Sequence, residues 1–191
     1  MSLTIGSKAP DFTVNDQDGK PVALKNLKGT SVVLYFYPKD MTPGCTAESC
    51  NLRDNYKVLK ARGYEVFGVS TDNEKSHRKF IEKEKLPFRL LADTDKKLHE
   101  AYGTWVEKSM YGRKYMGTAR KTFIINAQGL IEDIIEQVDT RNHAAQILKE
   151  QAAPVKAAAK KSPAPKKKPA AKKPAKTAKK SAPKKQVKKR K

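Results

Sequence analysis

The run Ser31-Val32-Val33-Leu34-Tyr35-Phe36-Tyr37-Pro38-Lys39-Asp40-Met41-Thr42-Pro43-Gly44-Cys45 decides the fold. Ser31–Tyr37 is an almost unbroken apolar and aromatic run with no polar alternation. Both of its faces should therefore be buried, as in a central strand covered on both sides. Pro38 ends it, because proline has no backbone N–H to give to a ladder. Lys39–Gly44 is polar and turn-forming. From Cys45 to Ala61 the pattern turns helical: Thr46 and Glu48 suit a helix start, and Leu52, Tyr56 and Leu59 fall on one side. Gly63 is placed to stop that helix. Strand, tight loop and helix thus put Cys45 in the first turn of a helix.

Outward from this run the chain alternates. Asp11–Asn15 and Pro21–Leu24 flank Asp18-Gly19, a turn signal, and predict an N-terminal β-hairpin. Tyr64–Ser70 predicts a second buried strand, and Thr71-Asp72-Asn73 opens a helix to about Lys85, broken at Leu86-Pro87. Phe88–Leu91 is short and extended, and Lys96–Tyr102 is a short helix. Gly103–Gly117, with Trp105 and Met110, reads as a loop near the pocket, where those two side chains pack or shape access. Lys121–Asn126 and Leu130–Gln137 predict strands joined around Ala127-Gln128-Gly129, and Arg141–Glu150 a closing helix. Parallel crossovers followed by an antiparallel pair give an α/β fold, a mixed sheet with helices on both faces.

Charge divides the chain. The 191 residues carry a net charge of +21, yet residues 151–191 hold 16 Lys, one Arg and no acid, whereas residues 1–150 keep 24 basic and 20 acidic side chains. All the aromatics and both cysteines lie in the first 150 residues. The expected organisation is one globular domain at 1–150, large enough for a sizeable core, and a basic tail at 151–191. Two cysteines make no disulfide framework. No apolar run approaches the roughly 20 residues needed to span a bilayer, and Met1–Pro10 shows no secretory pattern. The expectation is a soluble, cytoplasmic protein without membrane contact, or one associated with a nucleoid or nucleus. Two cysteines with the scattered His77, His99 and His143 offer no metal-ligand spacing, so no metal and no cofactor is expected, and the histidines read as surface residues.

In the tail, Ala, Lys and Pro fill 33 of 41 positions. Such a segment has no apolar face to bury, its charges repel and its prolines interrupt helices, so it should be disordered. Its composition resembles the C-terminal tails of linker histones and of some bacterial nucleoid proteins. A flexible polycation would bind the phosphate backbone of DNA or RNA without sequence preference and with steep salt dependence. The candidate contacts are Lys166, Lys167, Lys168, Lys172, Lys173, Lys179, Lys180, Lys184, Lys185, Lys188, Lys189 and Arg190. No aromatic interrupts them, so base stacking should not contribute. A solubility tail, an address signal or adhesion to another acidic surface are the alternatives.

At Cys45, unsatisfied backbone N–H groups and the positive end of the helix dipole favour an anion, so the thiol should lose its proton more easily than a free cysteine. Thr42, three residues earlier, can donate a hydroxyl hydrogen bond, and Pro38 and Pro43 stiffen the loop. Alone, Cys45 would read as a small buried hydrophobe. Its setting differs: Pro38 through Thr42 to Cys45 resembles the peroxiredoxin signature Pro-x-x-x-Thr/Ser-x-x-Cys. The wider match, Phe36-Tyr37-Pro38-Lys39-Asp40, Thr42-Pro43-Gly44-Cys45-Thr46 and Glu48 to Cys50, resembles the peroxiredoxin Q group, also called bacterioferritin comigratory protein. Gly68-Val69-Ser70, Leu91-Ala92-Asp93, Tyr111-Gly112 and Arg120 before Thr122–Asn126 agree with it. The likeness covers about residues 3–150 and leaves out the tail.

This resemblance implies a thioredoxin-like fold and a thiol peroxidase. Cys45 would be the peroxidatic nucleophile, Thr42 would hydrogen-bond peroxide and sulfur, Pro38 would close the pocket, and Arg120 would supply a fixed cation. On its own Arg120 reads equally as a surface ion pair. Cys50 has the spacing of the second, resolving cysteine in part of the group; otherwise it is a passive core residue. Glu48 reads as a helix-start residue, though the group often carries a glutamate there. Residues five apart on a helix differ by about 140° and their Cα atoms lie roughly 8–9 Å apart, beyond the ~7 Å reach of a disulfide. Cys45 and Cys50 can therefore link only if the first turns unwind.

Three functions stand open at this point. One is a peroxidase for hydrogen peroxide and organic hydroperoxides, recycled by a thioredoxin-type reductant. Another is a DNA-associated redox sensor or nucleoid protein with little turnover. The third, favoured by the combination, is a peroxidase held near nucleic acid by its tail. The group resembled is often monomeric, and a monomer is expected.

Overall fold

The computed structural model of the protein describes residues 3–110 and 112–149. Its centre is a five-stranded sheet built from β3 (Ser31–Phe36), β4 (Tyr64–Ser70), β5 (Arg89–Ala92), β8 (Lys121–Ile125) and β9 (Ile131–Ile135), in the order β5-β4-β3-β8-β9. β3 runs parallel to β4, and β4 to β5; β8 is antiparallel to both β3 and β9. β1 (Thr13–Asn15) and β2 (Pro21–Ala23) form the expected N-terminal hairpin, closed through Asp16, which accepts hydrogen bonds from Asp18 and Lys20. The remaining elements are α1 (Pro43–Asp54), α2 (Tyr56–Ala61), α3 (Glu74–Glu84), α4 (Lys97–Ala101), β6 (Trp105–Met110), β7 (Arg113–Thr118) and α5 (His143–Ile147). This is the mixed α/β, thioredoxin-like arrangement read from the sequence.

β3 explains why there are two cores. Val32, Leu34 and Phe36 face one cluster with Val69, Leu91, Phe123, Leu98 and Tyr102; Val33, Tyr35 and Tyr37 face another with Leu52, Leu59, Phe80, Ile124 and Ile147. Successive strand residues point to opposite faces, so an uninterrupted apolar run must be roofed on both. The second face carries α1, α2, α3 and α5, and Cys45 belongs to it. Each large aliphatic or aromatic side chain fully buried here contributes about 1.5–3 kcal/mol. Gly68 in β4 makes room for this roof: a Cβ there would fall 2.7 Å from Cζ of Tyr35 and 2.6 Å from Cδ2 of Leu90. The ring of Tyr35 lies over that gap and its hydroxyl meets Ser49 Oγ of α1 at 3.0 Å.

Three expectations need correction. The helix from Cys45 to Ala61 is two helices, broken at Asn55, whose φ of −104° and ψ of 7° leave the helical range. Gly103–Gly117 is no loop: β6 and β7 pair antiparallel from Trp105↔Thr118 to Met110↔Arg113. The histidines are not on the surface; His77, His99 and His143 are all buried, each against a carboxylate (Asp40, Asp93 and Glu48). Hydrogen bonds make burial tolerable, between Asp40 and His77, between Asp93 and His99 and between the Thr122 hydroxyl and His143, because a polar ring sealed from water without a partner would cost stability. The tail residues 151–191, with Lys166 to Arg190, lie outside the described residues, as do Tyr111 and Glu150. Among the described residues no helix is long and apolar enough to cross a membrane.

Candidate active site

The loop after β3 is pinned before it reaches Cys45. Asp40, buried, accepts from the Tyr37 hydroxyl at 2.7 Å and lies 2.9 Å from Nδ1 of His77 on α3, while its backbone N–H donates to Asp72 at 2.8 Å. Burial alone would raise the Asp40 carboxyl; the bonds from His77 and Tyr37 outweigh it and hold the group below the ordinary carboxylate value. Met41 then takes a left-handed φ of 58°, which turns the chain sharply into α1. Such a conformation persists in a non-glycine residue only where the surroundings fix it.

Thr42 is the N-cap residue of α1, Pro43 opens the helix, and Cys45 is its third residue. The first helical bond runs from the Thr46 N–H to the Thr42 carbonyl at 2.8 Å. The N–H groups of Gly44 and Cys45 therefore have no partner further up the helix, and they leave the positive end of the helix beside the sulfur. Proline at this position costs nothing, since its missing N–H would be an orphan anyway. The Thr42 hydroxyl does not bond to the sulfur in this state; it donates to the Lys39 carbonyl at 3.1 Å. Pro38, half-buried, precedes the loop.

α1 buries Cys45, Glu48, Ser49 and Leu52 on one face, the three- and four-residue spacing of a helix stripe. Onto that stripe comes Arg120, from the link between β7 and β8. Its Nη2 donates to Cys45 Sγ at 3.3 Å and its Nη1 to Glu48 Oε2. Glu48 is fully buried, and its other oxygen lies 3.2 Å from Nδ1 of His143 without hydrogen-bond geometry. His143 meets the Thr122 hydroxyl at 2.9 Å through Nε2. Burial works against the charge on Arg120, but Glu48 and the sulfur outweigh it and hold the guanidinium charged. Lys121, the next residue, pairs instead with Glu136 at 2.7 Å. Glu48 is thus no helix-start residue but the buried counter-charge that fixes the arginine. Sequence reasoning missed this, along with His143 and Asp40; their partners lie 95 and 37 residues away in the chain, where no local pattern reaches.

Cys50 lies on the same helix, half-buried, away from this stripe. Both cysteines are free thiols and α1 is continuous between them. Cys50 Sγ donates to Glu84 Oε2 at 3.6 Å. Burial, foremost, raises its thiol above the ordinary cysteine value; Arg53 opposes this and Glu84 adds to it. Chemically, the Cys45 end of α1 sets a buried sulfur at a helix start beside a fixed cation, with no bond from Thr42 spent on it.

Comparison with known proteins agrees with this geometry. Residues 5–134 match the family model described as the AhpC/TSA family. Peroxiredoxin Bcp of Escherichia coli K12 is 46% identical over 146 residues, covering 76% of this chain and 94% of the relative. Peroxiredoxin Bcp of Bacillus subtilis is 43% identical over 149 residues, covering 78% and 95%. Among solved structures, peroxiredoxin Q of Xanthomonas campestris superposes with a TM-score of 0.71 at 33% identity, over 77% of this chain and 93% of that one. On these grounds, the chain belongs to the AhpC/TSA family and, within it, to the peroxiredoxins, an enzyme class of thiol peroxidases.

Proposed function

We propose that the protein is a monomeric thiol-specific peroxidase in which Cys45 is the peroxidatic residue, Cys50 resolves it, a thioredoxin-type dithiol recycles it, and residues 151–191 tether it to nucleic acid. The observation that carries the first part is Arg120 Nη2 at 3.3 Å from the buried Cys45 sulfur, at a helix start. The Cys45 thiolate attacks the terminal oxygen of a hydroperoxide. An S–O bond forms, the O–O bond breaks, and its electron pair leaves on the departing oxygen, which takes a proton to become an alcohol or water. Arg120, held by Glu48, faces the charge as it moves from sulfur to oxygen, so little reorganisation is needed. Thr42 turns its hydroxyl from Lys39 to the peroxide, and Pro38 walls the pocket. Alkyl peroxide reduction is the activity named for the bacterioferritin comigratory protein of Xanthomonas campestris, which supports organic hydroperoxides as substrates beside hydrogen peroxide.

The sulfenic acid on Cys45 is then attacked by the Cys50 sulfur. The S–S bond forms as the S–O bond breaks, and the hydroxyl leaves as water with the thiol proton. This needs the start of α1 to unwind, for the reason of reach already given. An external dithiol takes the disulfide by exchange and returns both thiols. The intact constellation of Cys45, Arg120 and Glu48 favours turnover over an inactive sensor. The +17 of residues 151–191 supports the tether, and a cytoplasmic, nucleoid- or nucleus-associated location follows from it.

Peroxide consumption with thioredoxin and its reductase tests this. It should vanish in Cys45→Ser and survive deletion of 152–191, whereas retardation of duplex DNA should show the reverse dependence and weaken from 50 to 200 mM salt by orders of magnitude, about 10³-fold or more. DNA retardation that persists undiminished in the truncated chain removes the tether.

A further inference from the structure

Cys50 has a surrounding that the peroxidase chemistry leaves unused. Its thiol hydrogen points at Glu84 Oε2, 3.6 Å away, at the end of α3. Glu84 is itself held: Arg53 Nη1 donates to its backbone carbonyl at 2.6 Å. Arg53 is occupied on its other side by Asp54, at 2.9 Å from Nε. Three charged groups therefore meet the sulfur, Arg53 and Asp54 from its own helix and Glu84 from the helix packed against it, and Lys83 Nζ stands 3.8 Å from the other Glu84 oxygen, on the exposed side. Glu84 is half-buried and makes the direct bond. A carboxylate beside a thiol disfavours the thiolate, because a second negative charge would be placed next to the first in a medium poorer than water at screening.

We propose that Glu84 is a latch residue for the resolving step: it ties Cys50 to the end of α3 through the thiol hydrogen, withholds it as a protonated thiol while α1 is folded, and gives it up when the turn around it unwinds. The proposal rests on Cys50 being the resolving residue. Its chemical consequence is an order of events. While α1 is folded, peroxide meets one reactive sulfur, Cys45, and Cys50 is kept from the thiolate form in which it would be oxidised in parallel. Once Cys45 is a sulfenic acid and the helix start opens, Cys50 leaves Glu84 and regains the proton equilibrium of a solvated thiol. Its thiolate then displaces hydroxide from Cys45, and the proton it lost to solvent is balanced by the one that turns that hydroxide into water. Glu84 touches neither peroxide nor the reacting sulfur–oxygen bond; it is a positioning residue.

The test uses Glu84→Gln, which keeps the size and an accepting oxygen but removes the charge, with Glu84→Asp as the variant that keeps the charge. In the full chain carrying Cys45→Ser, Cys50 is the single thiol, and its alkylation by iodoacetamide is followed from pH 7 to 10. Glu84→Gln should move the profile to lower pH and raise the rate at pH 8 by about three- to tenfold, one pH unit of displacement being a factor of ten in thiolate. Glu84→Asp should lie between it and the parent. In the same Cys45→Ser background, excess hydrogen peroxide at pH 8 should convert Cys50 to the sulfenic acid about three- to tenfold faster in Glu84→Gln than in its parent, read by mass spectrometry after dimedone trapping. A loss of packing alone would displace the shorter Glu84→Asp further than the isosteric Glu84→Gln, the reverse of the order a charge effect gives. Coincident alkylation profiles for all three chains overturn the latch. Shifted profiles in a protein whose oxidised form never links Cys45 to Cys50 leave the charge effect standing and sink the resolving assignment instead.

Discussion

Cys45 and Cys50 sit on one helix, five residues apart, and hydrogen-bond to partners of opposite charge. Cys45 is buried and receives a hydrogen bond from a guanidinium; Cys50 is half-buried and donates one to a carboxylate. The second is kept a thiol by burial first and by Glu84 after it, against the pull of Arg53. Helix geometry alone separates the two, since α1 turns Cys45, Glu48 and Ser49 toward the sheet and Cys50 toward α3. The lesson is that the division of labour between identical side chains lies in what the neighbouring elements bring to each, here the β7–β8 link for one and the end of α3 for the other.

Several measurements would break or sharpen that contrast. Cys45→Ser should reduce peroxide turnover to the uncatalysed background in a coupled thioredoxin assay, and retained activity would transfer the chemistry to Cys50. Arg120→Met should lower the second-order rate with hydrogen peroxide in stopped flow by about 10²–10³-fold, the usual cost of losing one donor aimed at developing charge. Cys50→Ser should leave a single peroxide-consuming turnover at the parent's rate and abolish efficient recycling by thioredoxin; undiminished steady turnover would mean another thiol resolves Cys45. Glu48→Gln should strand the arginine, costing about 3 kcal/mol in urea unfolding and slowing peroxide reduction less than Arg120→Met does.

The smallest expected effect concerns Asp40, which shapes the loop rather than the chemistry. Its carboxyl is depressed in the folded state, so its stabilisation is complete above the unfolded carboxylate value of about 4 and is lost as pH falls through the folded value. Asp40→Asn should lower stability at pH 7 by about 1–2 kcal/mol and flatten the acid side of the unfolding-midpoint profile between pH 2.5 and 5. A parallel profile for parent and variant would show that His77 and Tyr37 hold the loop without the charge.

What was legible in the sequence was what leaves a local trace. The double-faced β3, the Asp18-Gly19 hairpin and the position of Cys45 at a helix start all follow from runs and spacings within about fifteen residues. The β6–β7 hairpin left no such trace: Arg113, Lys114, Tyr115 and Met116 are all exposed, so β7 has no apolar face to alternate with a polar one, and a two-sided polar strand reads as a loop. The buried histidines were misread for a related reason. The partners that hide two of them, Asp40 for His77 and Thr122 for His143, stand 37 and 21 residues away in the chain. Glu48 itself was visible, but its task was not, because the arginine it holds arrives from 72 residues downstream.

Gly68 carries a consequence out of proportion to its size. Because that residue presents only a hydrogen, the phenol of Tyr35 can settle against β4 and reach up to Ser49, one turn along from the Cys45 sulfur. The elevation of the whole helix above the sheet is thereby gauged by an absent methyl group. A single carbon added there would press on Leu90 and Tyr35 and, through the Tyr35–Ser49 bond, act as a shim under the helix that carries Cys45.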